Sequence, residues 1–396
     1  MREPDGALAR LKRGTTTVLP EADLGAKLER GVPLRVKLGI DPSAPHLTLG
    51  HAVVLRKLRQ FQDLGHTAVL IVGDFTRLVG DPSGQGSTRP LISAETIHEN
   101  MKSYRQQAFK ILDPERTEVR YNSEWLGKLG AGGLIQLSSK YTVARMLERD
   151  DFSKRFAANA SISVLEFLYP LLQAYDSVAI EADVELGGHD QLFNLLIGRD
   201  IQTHYGQTPQ VVLTVPLLIG TDGTQAMGQS KGNYIGIDEP ANEVFGKVMS
   251  LPDELMQPYY ELLTDVAWDE VKGLHPKACK VKLGRLLVRW LYDEDQANAA
   301  EEAFERVYAR KELPQDMPHV VLQAKDLDDG RIWIVALLDR ANLVASRAQA
   351  RRLIEQGGVQ LDGEKVKSVN VQVKPHEGMV VKSGKHKFAK VTLEER

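Results

Sequence analysis

Tyr169, Gln173 and Asp176 recur at i, i+4 and i+7 within FLYPLLQAYDS, residues 167 to 177. A helix there carries a phenol, an amide and a carboxylate along one face. Leu168, Leu171 and Leu172 occupy the other faces, so the stripe is polar inside an otherwise apolar helix. It is either a solvated outer face or one wall of a pocket selecting a polar small molecule. Two loops could supply the rest of such a pocket: Asp41 to His51, and Thr76 to Arg89 with GDPSG at Gly80 to Gly84.

The elements around these loops follow from hydrophobic pattern. Leu34 to Ile40 is an apolar-rich run that predicts a buried strand, stopped by Asp41-Pro42. His51 to Leu64 follows with Val54, Leu58 and Phe61 at helical spacing, and Thr67 to Gly73 predicts a second buried strand. Strand, helix, strand at this spacing is a βαβ unit of a parallel sheet, and ligands of such sheets bind at the carboxyl ends of the strands. Both loops leave from those ends. Residues 99 to 155 read as a helical insertion broken at Asp113-Pro114 and at Gly130 to Gly133. Ile180 to Leu186 and Val211 to Leu218 return to strand patterns, Ala241 to Lys311 is helical, and Leu313 to Leu327, with Pro314 and Pro318, reads as a linker.

Composition narrows the class. A chain of 396 residues predicts two or three cores, and 42% hydrophobic with 26% charged residues is ordinary globular usage. No run of about 18 apolar residues occurs and the N-terminus is charged, so no membrane association and a cytoplasmic location are expected. A single cysteine, Cys279, leaves neither a disulfide framework nor a Cys-based zinc site. The net charge of −3 hides an asymmetry: residues 330–396 hold 13 Lys plus Arg against 7 Asp plus Glu, a surplus of +6 that leaves −9 for residues 1–329. A basic end on an acidic body suggests either a polyanionic partner or a solvated lysine-rich surface.

Ser346 to Gln356 predicts a short helix bearing Arg347, Arg351 and Arg352, ended by Gly357-Gly358, and Asp362-Gly363 signals a hairpin between Val359–Leu361 and Glu364–Val366. The segment SRAQARRLIEQGGVQLDGEKV resembles the S4 RNA-binding fold. That resemblance implies RNA backbone contacts by the three arginines.

YPLLQAYDS, GDPSG, YNSEW at Tyr121 to Trp125 and ELGGHDQLFN at Glu185 to Asn194 together resemble the amino-acid site of bacterial tyrosyl-tRNA synthetases, over nearly the whole chain. The resemblance implies that Asp176 accepts a hydrogen bond from the substrate phenol, that Tyr169, Gln173 and Asp81 hold the α-amino group, and that Gln191 lies beside the carboxylate. Lys37 stands at a position of the same tyrosine site. Gly39, Asp41, Gly50, Gly188, Asp190 and Met227 would line ATP or the adenylate, with Asp190 near the ribose.

The phosphate-handling signatures of class I synthetases, HxGH and KMSKS, are altered. The first reads Thr48-Leu49-Gly50-His51 and the second Ala226-Met227-Gly228-Gln229-Ser230, followed by Lys231. Candidate catalytic residues are therefore Thr48, His51, Gln229, Ser230, Lys231 and Arg89. Gln85 replaces a frequent lysine, Arg77 a glycine beside the tyrosine pocket, and His189 a small hydroxyl residue. Arg77, Arg89 and Lys231 could restore part of the positive charge by reaching the phosphates from new directions.

The resemblance implies an α/β chain: a Rossmann-like class I catalytic domain over 1–240 with an N-terminal helix and a helical insertion at about 99–155, a helical domain over 241–312, a linker over 313–329, and an S4-like α+β domain over 330–396. It implies a homodimer joined through the insertion, and ligation of tyrosine to its tRNA with ATP and accompanying Mg2+ but no dedicated metal site. Two rivals remain open: a paralogue that binds amino acid and RNA but activates weakly, and an enzyme for another aromatic amino acid.

Overall fold

The computed structural model describes residues 4–41, 46–80, 102–308, 317–344, 346–384 and 387–394. They divide into two compact units, 1–301 and 302–396.

The first unit runs through α1 (Pro4–Lys12), β1 (Thr17–Leu19), α2 (Glu21–Glu29), β2 (Arg35–Ile40), α3 (Leu49–Asp63), β3 (Thr67–Val72), α4 (Thr76–Val79) and α5 (102–108). It continues with β4 (Thr117–Tyr121), α6 (Ser123–Ser138), α7 (Val143–Met146), α8 (Asp150–Ala157), α9 (Val164–Ala179), β5 (Val184–Gly188), α10 (Leu192–His204) and β6 (Val211–Val215). Helices α11 (Ala241–Met249), α12 (Met256–Leu263) and α13 (Pro276–Leu291) follow, and α14 (Glu294–Tyr308) runs across the 301/302 boundary.

The sheet order is β1-β6-β5-β2-β3-β4, parallel throughout except for β1, which pairs antiparallel with β6. Val69 to Val72 of β3 are buried without alternation, as expected of a strand covered on both faces. Helix α3 buries Ala52, Leu55, Leu58 and Phe61 against it. From β2 the chain crosses to β3 on one side, whereas β5 crosses to β6 on the other. The order therefore reverses between β2 and β5, and a crevice opens there at the strand carboxyl ends.

Three expectations need correction here. Residues 117–121 fall inside the expected helical insertion, yet they form β4, paired parallel with β3 from Ala68↔Thr117 to Val72↔Tyr121. The alternation of Thr117, Val119 and Tyr121 supplies the β-formers. The strand expected from Ile180 starts only at Val184, because Ile180 caps α9 and Glu181 takes a left-handed φ of 52°. No break in packing falls at 240/241 either: Tyr259 on α12 donates to the Ile219 carbonyl at 2.6 Å, and Tyr292 donates to the Glu239 carbonyl.

The second unit holds β7 (His319–Leu322), β8 (Ile332–Trp333), α15 (Ile334–Arg340), α16 (Arg347–Glu355), β9 (Val359–Leu361), β10 (Glu364–Lys365), β11 (Gln372–Val373), β12 (Val380–Ser383) and β13 (Lys387–Leu393). Its main sheet is ordered β10-β9-β12-β13-β7 over a core that includes Leu337, Leu338, Ile354, Val381 and Val391. Asp362 and Gly363 both have positive φ, 47° and 87°, as a two-residue hairpin requires. The expected linker over 313–329 contains β7, which buries Val320 and Leu322 and pairs parallel with β13. Too short to show a period by itself, HVVL becomes a strand because a partner arrives from the far end of the sequence.

Candidate active site

The crevice contains a cavity of about 290 Å³ lined from β2, α3, α9, β5 and the segments after β5 and β6. Gly39, Asp41, Thr48, Gly50, His51, Tyr169, Gln173, Asp176, Gly188, Asp190, Gln191 and Met227 all border it. Twelve positions far apart in sequence thus converge on one space. Asp81 and Arg89 lie outside the described residues.

Helix α9 is fixed before it meets a ligand. Its first turn carries a capping box in which Glu166 accepts from the Ser163 N–H at 2.9 Å and Ser163 Oγ accepts from the Leu165 N–H at 3.2 Å. Arg155 of α8 donates to both Glu166 oxygens. The polar stripe then faces the cavity rather than solvent. Asp176, 3% exposed, accepts from Trp125 Nε1 at 2.7 Å and from Asn122 Nδ2 at 3.3 Å. Burial pushes its carboxyl up to about 7, against the opposing pull of Lys37 and of the two donors. Gln173 Oε1 is buried and has no hydrogen-bond partner among the described residues. An acceptor left in that state calls for a ligand donor.

Tyr169 donates to Asp41 Oδ2 at 2.7 Å, and Thr76 Oγ1 donates to Asp41 Oδ1 at 3.1 Å. Gly73 makes this possible, since a Cβ there would stand 2.0 Å from Asp41 Oδ1. Gln191 Oε1 accepts from Asn194 Nδ2 at 3.1 Å, and Asn194 is reached in turn by Arg149 Nη1 at 3.4 Å. Asn122, Trp125, Thr76 and Asn194 were missed as site residues from sequence. YNSEW was visible as a motif, but nothing local indicated that its amide and indole would meet a carboxylate some 50 residues later.

Lys37 requires correction. It is fully buried and does not border the cavity. Its Nζ donates to the Gln173 carbonyl at 3.0 Å and Ser177 Oγ at 2.8 Å and pairs with Glu185 Oε1 at 2.8 Å. Three partners use all three ammonium protons, leaving none for a substrate.

At the start of α3, the Thr48 N–H donates to His51 Nδ1 at 3.2 Å, and Thr48 Oγ1 lies 3.0 Å from the same nitrogen. Nδ1 is therefore an acceptor and the ring proton sits on Nε2. Desolvation holds the imidazole down at about 4, so His51 is a neutral donor at pH 7. The Thr48 hydroxyl is turned to His51 instead of standing as a separate phosphate donor. Gly50 keeps this turn uncrowded: a Cβ there would stand 3.3 Å from Thr48 Oγ1, while Met227 Cβ at 3.7 Å would be an ordinary contact.

That loop is docked on the same helix end. The Leu49 N–H donates to the Ile235 carbonyl at 2.8 Å, the Met227 N–H to the Leu218 carbonyl at 2.8 Å, and Asn233 Oδ1 accepts from the Gly228 N–H at 2.9 Å. Ala226 and Met227 border the cavity, whereas Gln229, Ser230 and Lys231 do not. Gln229 donates to the His46 carbonyl, and Lys231 Nζ donates back to the Ala226 carbonyl at 2.9 Å from an exposed position. Arg77 is also absent from the lining: it is buried in α4, with Nε and Nη1 lacking partners among the described residues. His189 turns to Thr214 Oγ1 at 3.2 Å. Among the described residues the lining holds Asp41, Asp176, Glu185 and Asp190 but no lysine or arginine.

In the second unit, Arg347 pairs with Asp339 at 2.9 Å and the Arg351 guanidinium lies 5.4 Å from the Trp333 ring centre. Arg352 is exposed on the same helix.

Comparison with known proteins bears on both units. The family model for class I tRNA synthetases of the tryptophan and tyrosine type matches residues 29–309, and the S4 domain model matches 332–381. A tyrosine–tRNA ligase of Geobacter sulfurreducens is 50% identical over 98% of each chain, and one of Thermotoga maritima is 49% identical over 98% of each. Among solved structures, a C-terminally truncated mitochondrial tyrosyl-tRNA synthetase of Aspergillus nidulans superposes with a TM-score of 0.66 at 20% identity, covering 78% of this chain and 95% of that one. The Archaeoglobus fulgidus tyrosyl-tRNA synthetase complexed with L-tyrosine gives 0.61 at 22% identity, covering 76% and 100%. At these identities the structures speak to the fold alone.

Proposed function

Because the chain belongs to the class I tRNA synthetases of the tryptophan and tyrosine type, and within them to the tyrosine–tRNA ligases, we propose how its own residues carry out that reaction. The substrate phenol donates to Asp176. Its ammonium group meets Tyr169 and the buried Gln173 Oε1, with Asp81 as a further partner, and its carboxylate lies near Gln191. The observation that carries this reading is the pairing of a buried carboxyl at one end of the stripe with an unpartnered buried acceptor at Gln173. Phenylalanine would leave Asp176 short of a donor in a water-poor site, a form of discrimination for which this enzyme class is itself the standard illustration.

ATP, accompanied by Mg2+ as part of the substrate, lies toward Gly39, Asp41, Gly50, Gly188, Asp190 and Met227. A tyrosine carboxylate oxygen attacks the α-phosphorus, the bond to pyrophosphate breaks, and a hydroxyl of the terminal tRNA adenosine then takes the tyrosyl group from the adenylate. Nε2–H of neutral His51 is a preorganised donor for charge developing on the phosphates. Arg347, Arg351 and Arg352 contact the tRNA backbone, and the tRNA substrate supports a cytoplasmic setting. Exposed Ile135, Val143, Phe156 and Val164 along α6 to α9 support a homodimer joined through that region.

ATP–pyrophosphate exchange measured across the aromatic amino acids tests the reading: exchange with tyrosine is expected, and exchange only with another aromatic amino acid would overturn it. A second reading, tyrosine and RNA binding with slow adenylate formation, is favoured by the cavity lining without lysine or arginine among the described residues. Intact tyrosine binding with undetectable exchange would support it.

A further inference from the structure

Behind the cavity wall lies a buried charge, Lys37, that does not border the cavity, paired with Glu185, which does. Lys37 of β2 and Glu185 of β5, exposed by 0% and 1%, form an ion pair at 2.8 Å. The remaining oxygen of Glu185 accepts from Ser177 Oγ at 3.1 Å and from Gln210 Nε2. Gly198 keeps space for this network, since a Cβ there would sit 2.5 Å from Gln210 Nε2 and 3.1 Å from Glu185 Oε2. Lys37 also donates to the Gln173 carbonyl and to Ser177 Oγ, which flank Asp176 on α9. A buried ion pair is weak evidence of stabilisation, because a well-packed apolar pair serves as well or better. Its attachment to α9 on both sides of Asp176 suggests another task.

We propose that Lys37 is a positioning residue for substrate specificity: it lets Asp176 carry negative charge against the substrate phenol, and Glu185 sets how much of the Lys37 charge Asp176 feels. The inference rests on the reading that Asp176 receives the phenol. Its geometry is independent of that reading, since Lys37 has spent its donors and can act on a ligand only through its field and through α9. Lys37 favours the ionised carboxylate of Asp176 and Glu185 opposes it. Asp41 and Tyr169 share the cavity, Arg77 lies on α4, which packs on α9, and α6 and α10 bring Trp125 and Leu195. None of these changes in the variants below, and each acts on both ligands compared.

The test is calorimetric affinity for tyrosine and for phenylalanine from pH 5 to 9, without nucleotide, in the full chain. The ratio of the two cancels the shared ammonium and carboxylate. In the native protein it should rise with pH and level off near the pH where unliganded Asp176 is fully ionised. Glu185→Gln should bring the levelling-off to lower pH, and Lys37→Met should carry it to higher pH, each by about one unit or more. The double variant should shift upward less than Lys37→Met, because Lys37 acts on Asp176 more strongly than Glu185 does. Opposite shifts from two variants that break the same ion pair cannot come from loosened packing alone. Shifts in the same direction, or none, overturn the proposal. If Lys37→Met fails to fold, Glu185→Gln still decides, since a rise or no change there is enough to refute it. A native ratio of one at every pH would instead remove Asp176 from the phenol, and the inference with it.

Discussion

One cavity in this molecule has two halves built on different principles. The amino-acid half, along α9 and the β4–α6 corner, is assembled from buried and half-buried hydrogen-bonding groups whose partners are in place: Trp125 and Asn122 on Asp176, Asn194 on Gln191, and Tyr169 reaching across to Asp41. The nucleotide half, at the start of α3 and the loop after β6, keeps its backbone frame but, among the described residues, brings no lysine or arginine to the cavity. Selecting a small molecule depends on fixed geometry in a dry site, whereas expelling pyrophosphate depends on cationic donors aimed at developing charge. The contrast predicts that the absence of lysines at 226 and 229 leaves tyrosine recognition intact while slowing adenylate formation.

The largest effect should come from restoring that charge. Ala226→Lys with Gln229→Lys should accelerate adenylate formation by about 100-fold or more, the scale of an added preorganised donor, with tyrosine affinity unchanged. Single-turnover kinetics reads both. No gain would mean that the phosphates are already stabilised from outside the described residues, Arg89 foremost, and the contrast between the halves would vanish. Next in size, Asp176→Ala should lower the preference for tyrosine over phenylalanine in kcat/KM by about 100-fold, the cost of an unpaired buried group. The KM for ATP should hold. A preserved ratio would show that the phenol is read elsewhere.

The two halves also differed in how far sequence disclosed them. The α9 stripe was legible because helical spacing alone puts residues 169, 173 and 176 on one face, and the β2–α3–β3 unit was legible because apolar runs and amphipathic spacing alternate. Lys37 was misassigned because, within a strand, a residue one step off the cavity looks the same as one facing it until the register with β5 is known. The strands at 117–121 and 319–322 escaped because neither is long enough to display a period, and each exists through a distant partner. Thr48 and Lys231 could be recognised as altered signature positions, but their hydrogen bonds to His51 and to the Ala226 carbonyl depend on how two loops dock.

A smaller effect, of about tenfold, is expected from pH. Burial keeps a proton on Asp176 up to about 7, and the substrate phenol donates to the ionised form. Tyrosine must therefore displace a proton below that pH, so its preference over phenylalanine should rise about tenfold between pH 6 and pH 8. The sign for stability is opposite: the unliganded fold binds more protons than the unfolded chain between about 4 and 7, so Asp176 makes it less stable as pH rises through that window. Tyrosine should then raise the unfolding temperature more at pH 8 than at pH 6, which thermal unfolding with and without ligand will read.

The smallest effect should be that of Lys231→Ala. Its position after the signature loop makes Lys231 an obvious substitute for the absent lysines, and a substitute in that role would cost about 100-fold when removed. In the structure its ammonium faces the Ala226 carbonyl from an exposed site outside the cavity, and an exposed hydrogen bond of this kind contributes only about 0.5–1.5 kcal/mol to holding the loop. Any influence on adenylate formation must then pass through loop position, already fixed by Asn233 and by the Met227 N–H on the Leu218 carbonyl. The rate should fall by no more than about threefold, with ATP affinity unchanged. A 100-fold fall would mean that the loop swings on nucleotide binding and carries Lys231 to the phosphates. The nucleotide half would then be charged only when occupied, and the difference between the halves would be one of timing rather than of composition.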